Sequence, residues 1–253
     1  IWRYDAGAGA DVAVAELDAT VPGDLNGLMI DPVRNRMLFI SRSGANTVLW
    51  AYDAANGGWY QAAPAFASPD FPRAGMTPAG VGYLIAGNNT TPEVWEVNAD
   101  PAPGSFGYTV TSIGNLAYDQ APSNTSSGDI AFDASGVAWL SAGVDLYKVD
   151  LAGGSLLAQR QVRPLLNGAP SGINWAGVAF AADGTLYVAD NTAGSAYYAY
   201  DPATGVLTQA ITTGAGGSRD LASCAYPTLV DPQLSVTKTL AEVNGTAPTP
   251  GLA

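Results

Sequence analysis

The sequence predicts an all-β fold, a β-propeller whose blades have four antiparallel strands each. Three observations carry this. A short aromatic or branched segment ending in Asp or Asn recurs along the chain, and a small-residue turn follows most copies. Each unit holds further strand-like segments at corresponding places. Apolar residues alternate with period two, while 30 Gly and 17 Pro punctuate 253 residues in which Lys and Glu are rare, which disfavours helix.

The recurring segments are Trp2-Arg3-Tyr4-Asp5, Leu49-Trp50-Ala51-Tyr52-Asp53, Val94-Trp95-Glu96-Val97-Asn98, Leu146-Tyr147-Lys148-Val149-Asp150 and Tyr198-Ala199-Tyr200-Asp201. Their last residues are 48, 45, 52 and 51 positions apart. An Asp with Gly a few residues later is turn chemistry, because the carboxylate caps local amides and Gly takes positive φ. Four short strands repeated about every 40–50 residues form the propeller signature.

In chain order, the first unit supplies Leu28-Met29-Ile30, Met37 to Ile40, Val48 to Asp53 and Trp59-Tyr60-Gln61. A later unit offers Asp129-Ile130-Ala131-Phe132, Val137 to Leu140, Asp145 to Asp150 and Leu156 to Gln159. The next reads Gly177 to Phe180, an Asp183-Gly184 turn, Thr185 to Asp190, Ala196 to Asp201 and Val206 to Ile211. Each first strand is small and apolar, as a crowded central channel requires; later strands carry the Trp and Tyr that fill the wider wedges. Five turn copies and five inner-strand candidates, the last being Asp220 to Tyr226, favour five blades, with six as the alternative count. Segments 1–5 and 12–16 read as outer strands of the blade whose inner strand lies near 220–226. Sharing that blade between the two ends closes the ring and removes exposed edges. Residues 1–230 thus form the propeller, and 231–253 an extended linker or strand that leads to, or docks on, a further module.

Composition excludes several functions. The formal net charge of −12 leaves no basic stripe for a nucleic-acid partner. No apolar run reaches transmembrane length, so membrane insertion is not expected. The chain has no histidine, which removes imidazole metal sites, Ser-His-Asp and Cys-His catalysis, and histidine-based pH switching. The single cysteine, Cys224, reads as a small buried thiol. A strand-like start at Ile1 without an initiator Met reads as a trimmed N-terminus.

Segments Gly177 to Asp190 (GVAFAADGTLYVAD) and Asp129 to Leu140 (DIAFDASGVAWL) resemble the NHL and gluconolactonase-like propellers. That pattern is a fold signature shared by binding and hydrolytic members. Leu234-Ser235-Val236-Thr237-Lys238 resembles the opening strand of Ig-like repeats in large bacterial surface proteins. The resemblance implies an exported, extracellular or cell-surface protein. It also implies, for a lactonase-like member, a divalent ion at the channel mouth held by Glu, Asn and Asp. Here Glu16, Glu93, Glu96 and Glu242 all lie away from the inner-strand starts where that family's glutamate ligand belongs.

Reactive motifs are scarce. Gly168-Ala169-Pro170-Ser171-Gly172 has the wrong spacing for a nucleophile elbow, and Lys148 and Lys238 lack a P-loop glycine frame. Asn174, Asp190 and Asn191 remain oxygen donors for a metal such as Ca2+, or simple strand-ending turn residues. Loops between second and third strands are rich in amides and hydroxyls, and Asn46, Asn88, Asn89, Asn191 and Thr192 are their candidate ligand-binding residues. They suit a glycan or a protein surface, and equally suit solvated hairpin tips. The reading drawn from these features is a non-enzymatic extracellular binding, adhesion or assembly module that requires no cofactor, with self-assembly through 231–253. The alternative is a metal-dependent, lactonase-like hydrolase.

Overall fold

A computed structural model describes residues 2–5, 10–13, 21, 24–43, 46–53, 58–66, 73–87, 90–102, 105–161, 163–190, 196–202, 204–212 and 220–229. Every regular element among them is a strand. Near the N-terminus, β1 (Trp2–Asp5) and β2 (Ala10–Ala13) pair with each other as a hairpin. The first blade runs from inner to outer strand as β3 (Asp24–Asp31), β4 (Arg36–Ser43), β5 (Asn46–Asp53) and β6 (Gly58–Gln61). The second is β7 (Arg73–Met76), β8 (Gly82–Ile85), β9 (Glu93–Ala99) and β10 (Tyr108–Asn115).

The third blade begins with β11 (Ala117–Tyr118), a short strand added in parallel to its outer edge. Its other strands are β12 (Ile130–Phe132), β13 (Ala138–Ala142), β14 (Asp145–Val149) and β15 (Leu157–Arg160). A small hairpin of β16 (Leu165–Leu166) and β17 (Ala169–Pro170) separates it from the fourth blade. That blade is β18 (Trp175–Phe180), β19 (Leu186–Asp190), β20 (Ala196–Tyr200) and β21 (Leu207–Thr212). Four blades therefore stand among the described residues, where five inner-strand candidates are counted in the sequence. Inner strands β3, β7, β12 and β18 are neighbours in that order.

The turns follow the sequence chemistry. After β14, Asp150 accepts the Gly153 amide at 2.8 Å, and Gly154 takes φ +83°. After β20, the Thr204 hydroxyl donates to Asp201 at 2.6 Å and Gly205 takes φ +73°. Both carboxylates hold a turn that reverses the chain into the outer strand.

Packing between neighbouring blades forms three apolar wedges. Leu38, Leu49, Leu84 and Val97 fill the first; Ile85, Ile130, Leu140 and Tyr147 the second; Trp139, Trp175, Val188 and Tyr200 the third. Polar staples reinforce the first two junctions. Tyr108 on β10 donates to the buried Asp31 at the end of β3 (2.8 Å), and Tyr83 on β8 donates to the Leu151 carbonyl (3.3 Å).

Three expectations need correction. Cys224 is exposed, since the strandless segment around it presents the thiol outward. Inner strand β18 opens on a large residue, Trp175, because a bulge before Gly177 turns that side chain onto Tyr198, with ring centroids 6.0 Å apart. Residues 220–226 form no strand; instead they pack beside the inner strands, and Leu221 to Tyr226 line a small cavity together with β3, β7, β12 and β18. Residues 1, 14–16 and 231–253 lie outside the described residues.

Candidate functional site

The axis is where chain-distant polar groups converge. Three of these groups, one basic and two acidic, stand at or just before the start of a segment that lines the cavity. Arg73 opens β7, Asp129 stands just before β12, and Asp220 opens the axial segment. The axial segment enters beside Asp129, where the Leu221 amide donates to its carboxylate at 3.2 Å. It leaves beside the turn after β12, where the Pro227 carbonyl accepts the Ala134 amide at 2.9 Å.

Asp129 is fully buried. Its Oδ1 accepts the Ile130 amide at 2.8 Å, and its Oδ2 accepts the amides of Val178 (2.9 Å) and Leu221 (3.2 Å). One carboxylate thereby gathers donors from β12, β18 and the axial segment. Asp220 Oδ2 accepts the Leu28 amide of β3, while its Oδ1 is buried with no donor among the described protein groups. Inner-strand amides facing a channel have no ladder partner, and the two carboxylates satisfy them.

The carboxyls also meet each other. Burial pushes Asp220 up to about 7. Burial, reinforced by the Asp220 charge, raises Asp129 well above the usual carboxylate range. Two carboxylates this close and this dry hold a proton between them rather than ionise together. The nearby cation is Arg73, fully buried, whose Nε donates to the Ser141 carbonyl (3.0 Å) and whose Nη2 donates to the carbonyls of Thr125 (2.9 Å) and Ser127 (3.0 Å). Burial lowers its pKa, and its neighbours Tyr118, Asp129 and Tyr147 oppose that.

Beside this polar layer the inner strands and residues 221–226 meet largely on apolar side chains. Leu28, Ile30, Ala74, Ile130, Val178 and Tyr226 help enclose a cavity of about 20 Å³. That holds about one water, whereas a small-molecule site spans roughly 300–1,000 Å³. The acid pair also does not fit a divalent ion. Calcium takes about 6–8 oxygens, and three of the four oxygens here already accept N–H groups. Among the described residues no group of three or more His, Cys, Asp and Glu converges on one point.

The loop candidates are mostly outside this picture. Asn88, Asn89, Asn191 and Thr192 fall outside the described residues; Asn46 opens β5 opposite Ser43, and its side chain is not among those described. Asn174 is exposed immediately before β18, and Asp190 is half-buried at the end of β19, where it stands opposite Trp175. Sequence neighbourhood and strand register thus bring Asn174 and Asp190 to one sheet end. The axial triad of Arg73, Asp129 and Asp220 is absent from the sequence-derived site residues. Its available signal was a polar residue at the same place before three small apolar inner segments.

No protein-family model matches the chain, and no curated protein matches it in sequence. Solved structures are similar to it in fold. A protein of unknown function from Bacteroides thetaiotaomicron has a TM-score of 0.55 at 12% identity, over 78% of this chain and 54% of that one. A functionally unknown protein from Desulfotomaculum acetoxidans has a TM-score of 0.51 at 14% identity, over 90% of this chain and 68% of that one. A gluconolactonase from Xanthomonas campestris reaches 0.48 at 13% identity, over 74% of this chain and 60% of its own. The chain spans about half the length of the first of these. At such identities the likeness is one of fold, a β-propeller arrangement, and fold does not carry activity.

Proposed function

We propose that this chain is a non-catalytic propeller module that recognises a glycan or protein through the loops and faces of a rigid ring. The observation that carries the reading is how little space the inner strands leave. Between the inner strands, residues 221–226 help line a cavity of only about 20 Å³, against the roughly 300–1,000 Å³ of a small-molecule site. A disc of packed blades presents variable loops with little ordering cost, and it needs no reactive group to do so. The support for an extracellular or cell-surface setting is the surface-repeat resemblance after residue 230.

Two structural refinements belong to the same proposal. The axial segment takes the place of a fifth inner strand, with the β1–β2 hairpin as outer strands of that blade. Its support is the position of Asp220 and Leu221, bridged by hydrogen bonds to Leu28 of β3 and, through Asp129, to Val178 of β18. Residues 231–253 then serve assembly with a neighbouring copy. Deleting them leaves monomers in sedimentation; polymers that persist overturn the assembly step.

A second reading, a metal-dependent hydrolase, has one observation in its favour: Asn174 and Asp190 stand at the same sheet end. One experiment separates the two. Bound metal is measured on the purified chain, which is then tested on a glycan array and on a lactone and phosphoester panel with and without chelator. Glycan or protein binding without turnover supports the binding module. Chelator-sensitive turnover replaces it with the hydrolase.

A further inference from the structure

We propose that Asp129 and Asp220 form a proton-operated clasp: proton uptake locks the axial segment 220–229 into the channel, and proton loss loosens it.

The geometry supplies both halves of such a device. One carboxyl belongs to the chain just before β12, and the other to the segment that packs beside the inner strands. Between them they hold amides of β3, β12, β18 and the segment itself. Asp220 Oδ1 has no protein donor in its buried position. A proton shared with Asp129 gives it one.

Charge counting explains the direction. Every element packed around the pair contributes a neutral amide, except β7, which contributes Arg73. Tyr118 and Tyr147 flank Arg73; Tyr226 lies further along the segment, where Asp31 faces it. Burial, and for Tyr226 also its Cys224 and Asp31 neighbours, raises these phenols, so they stay neutral through the range in question. With one shared proton, the pair carries −1 and Arg73 balances it. Losing that proton leaves a net −1 in a dry channel, with two like charges on the two sides of the joint. Repulsion then acts directly between wall and plug.

The sign follows from linkage. Burial lifts the Asp220 carboxyl from an ordinary 3.8 to about 7. The folded chain therefore binds a proton that the open one has already released. The contribution is complete below about pH 4, diminishes as pH rises, and is gone once pH has passed through about 7.

Hydrogen exchange on the full chain, corrected for intrinsic rates, tests this between about pH 5 and 8.5. Amides of Leu28, Val178 and Leu221 should lose protection by up to about tenfold per pH unit before levelling off. Amides of Leu38 and Leu49, inside the first blade, serve as controls and should hold steady. Asp220→Asn, permanently uncharged, should give a flat profile and more protection than the parent chain at pH 8. Asp129→Asn gives the same readout should the first variant not fold. A flat profile in the parent chain, or an unchanged slope in either variant, overturns the clasp.

Discussion

At the scale of single residues, the axis depends on groups that have no room for error. Gly128 sits at φ +141°, and a Cβ there would lie 2.0 Å from the Ser141 carbonyl oxygen and 2.7 Å from Arg73 Nε. Neither can retreat, since one is backbone and the other is held by three carbonyls. Gly128→Ala should cost about 3 kcal/mol, the sum of backbone strain and overpacking, read as a lower urea midpoint at constant slope. Arg73→Met tests the cation itself. It leaves the Ser141, Thr125 and Ser127 carbonyls without their donor and the acid pair without its balancing charge. A loss of about 3–5 kcal/mol is expected. In the same variant the remaining pair should release its proton at higher pH, because nothing then compensates the second charge. These residues were hard to read from sequence for a physical reason. An Asp or Arg before a small apolar strand looks like turn punctuation until the ring brings residue 129 beside residue 220.

At the scale of elements, the wedges between blades take up the largest side chains. Trp139 on β13 lies between the third and fourth blades, 6.2 Å from Phe180 and 6.2 Å from Tyr200 by ring centroid, with Lys148 Nζ 4.5 Å over its face. Trp139→Ala should cost about 3–5 kcal/mol by emptying the wedge. Trp139→Phe should cost much less, about 1–2 kcal/mol, because the indole Nε1 is buried without a hydrogen-bond partner and little polar stabilisation goes with it. Denaturant midpoints of the two variants check the ranking. Blades were legible in the sequence because each strand alternates with period two and each turn carries its own Asp and Gly. The third and fourth blades match the sequence-derived segments to within a few residues at each end. The β16–β17 hairpin was not anticipated, although Asn167-Gly168 is a two-residue turn signal and both residues take positive φ, 54° and 78°. Its strands are two residues long and one ends on Pro170, so no alternation exists to be seen.

At the scale of the molecule, the decisive quantity is how residues 220–229 hold the seam they form between Leu28 of β3 and, through Asp129, Val178 of β18. The blades on either side contribute stable wedges of their own, but the seam depends on a segment without strand pairing. Asp129 and Asp220 replace a ladder of backbone bonds there with a few charge-assisted ones, and Tyr226 and Leu229 add apolar contact to the second and third wedges. A chain ended after residue 219 loses the Asp220 carboxylate, the Pro227 bond to Ala134 and the apolar lining from Leu221 to Tyr226 together. A chain ended after residue 230 keeps all of them. The shorter chain should lose roughly 4 kcal/mol or more, which for a domain of this size lowers the melting temperature by about 8–16 °C. It should also bind a dye specific for exposed apolar surface, since the axis then opens to water. The longer chain should melt within about 2 °C of the full one, because it keeps every described contact of residues 220–229. Equal melting temperatures for the two truncations would place the stabilising contacts somewhere other than the axis, and the ring would then hold without its plug.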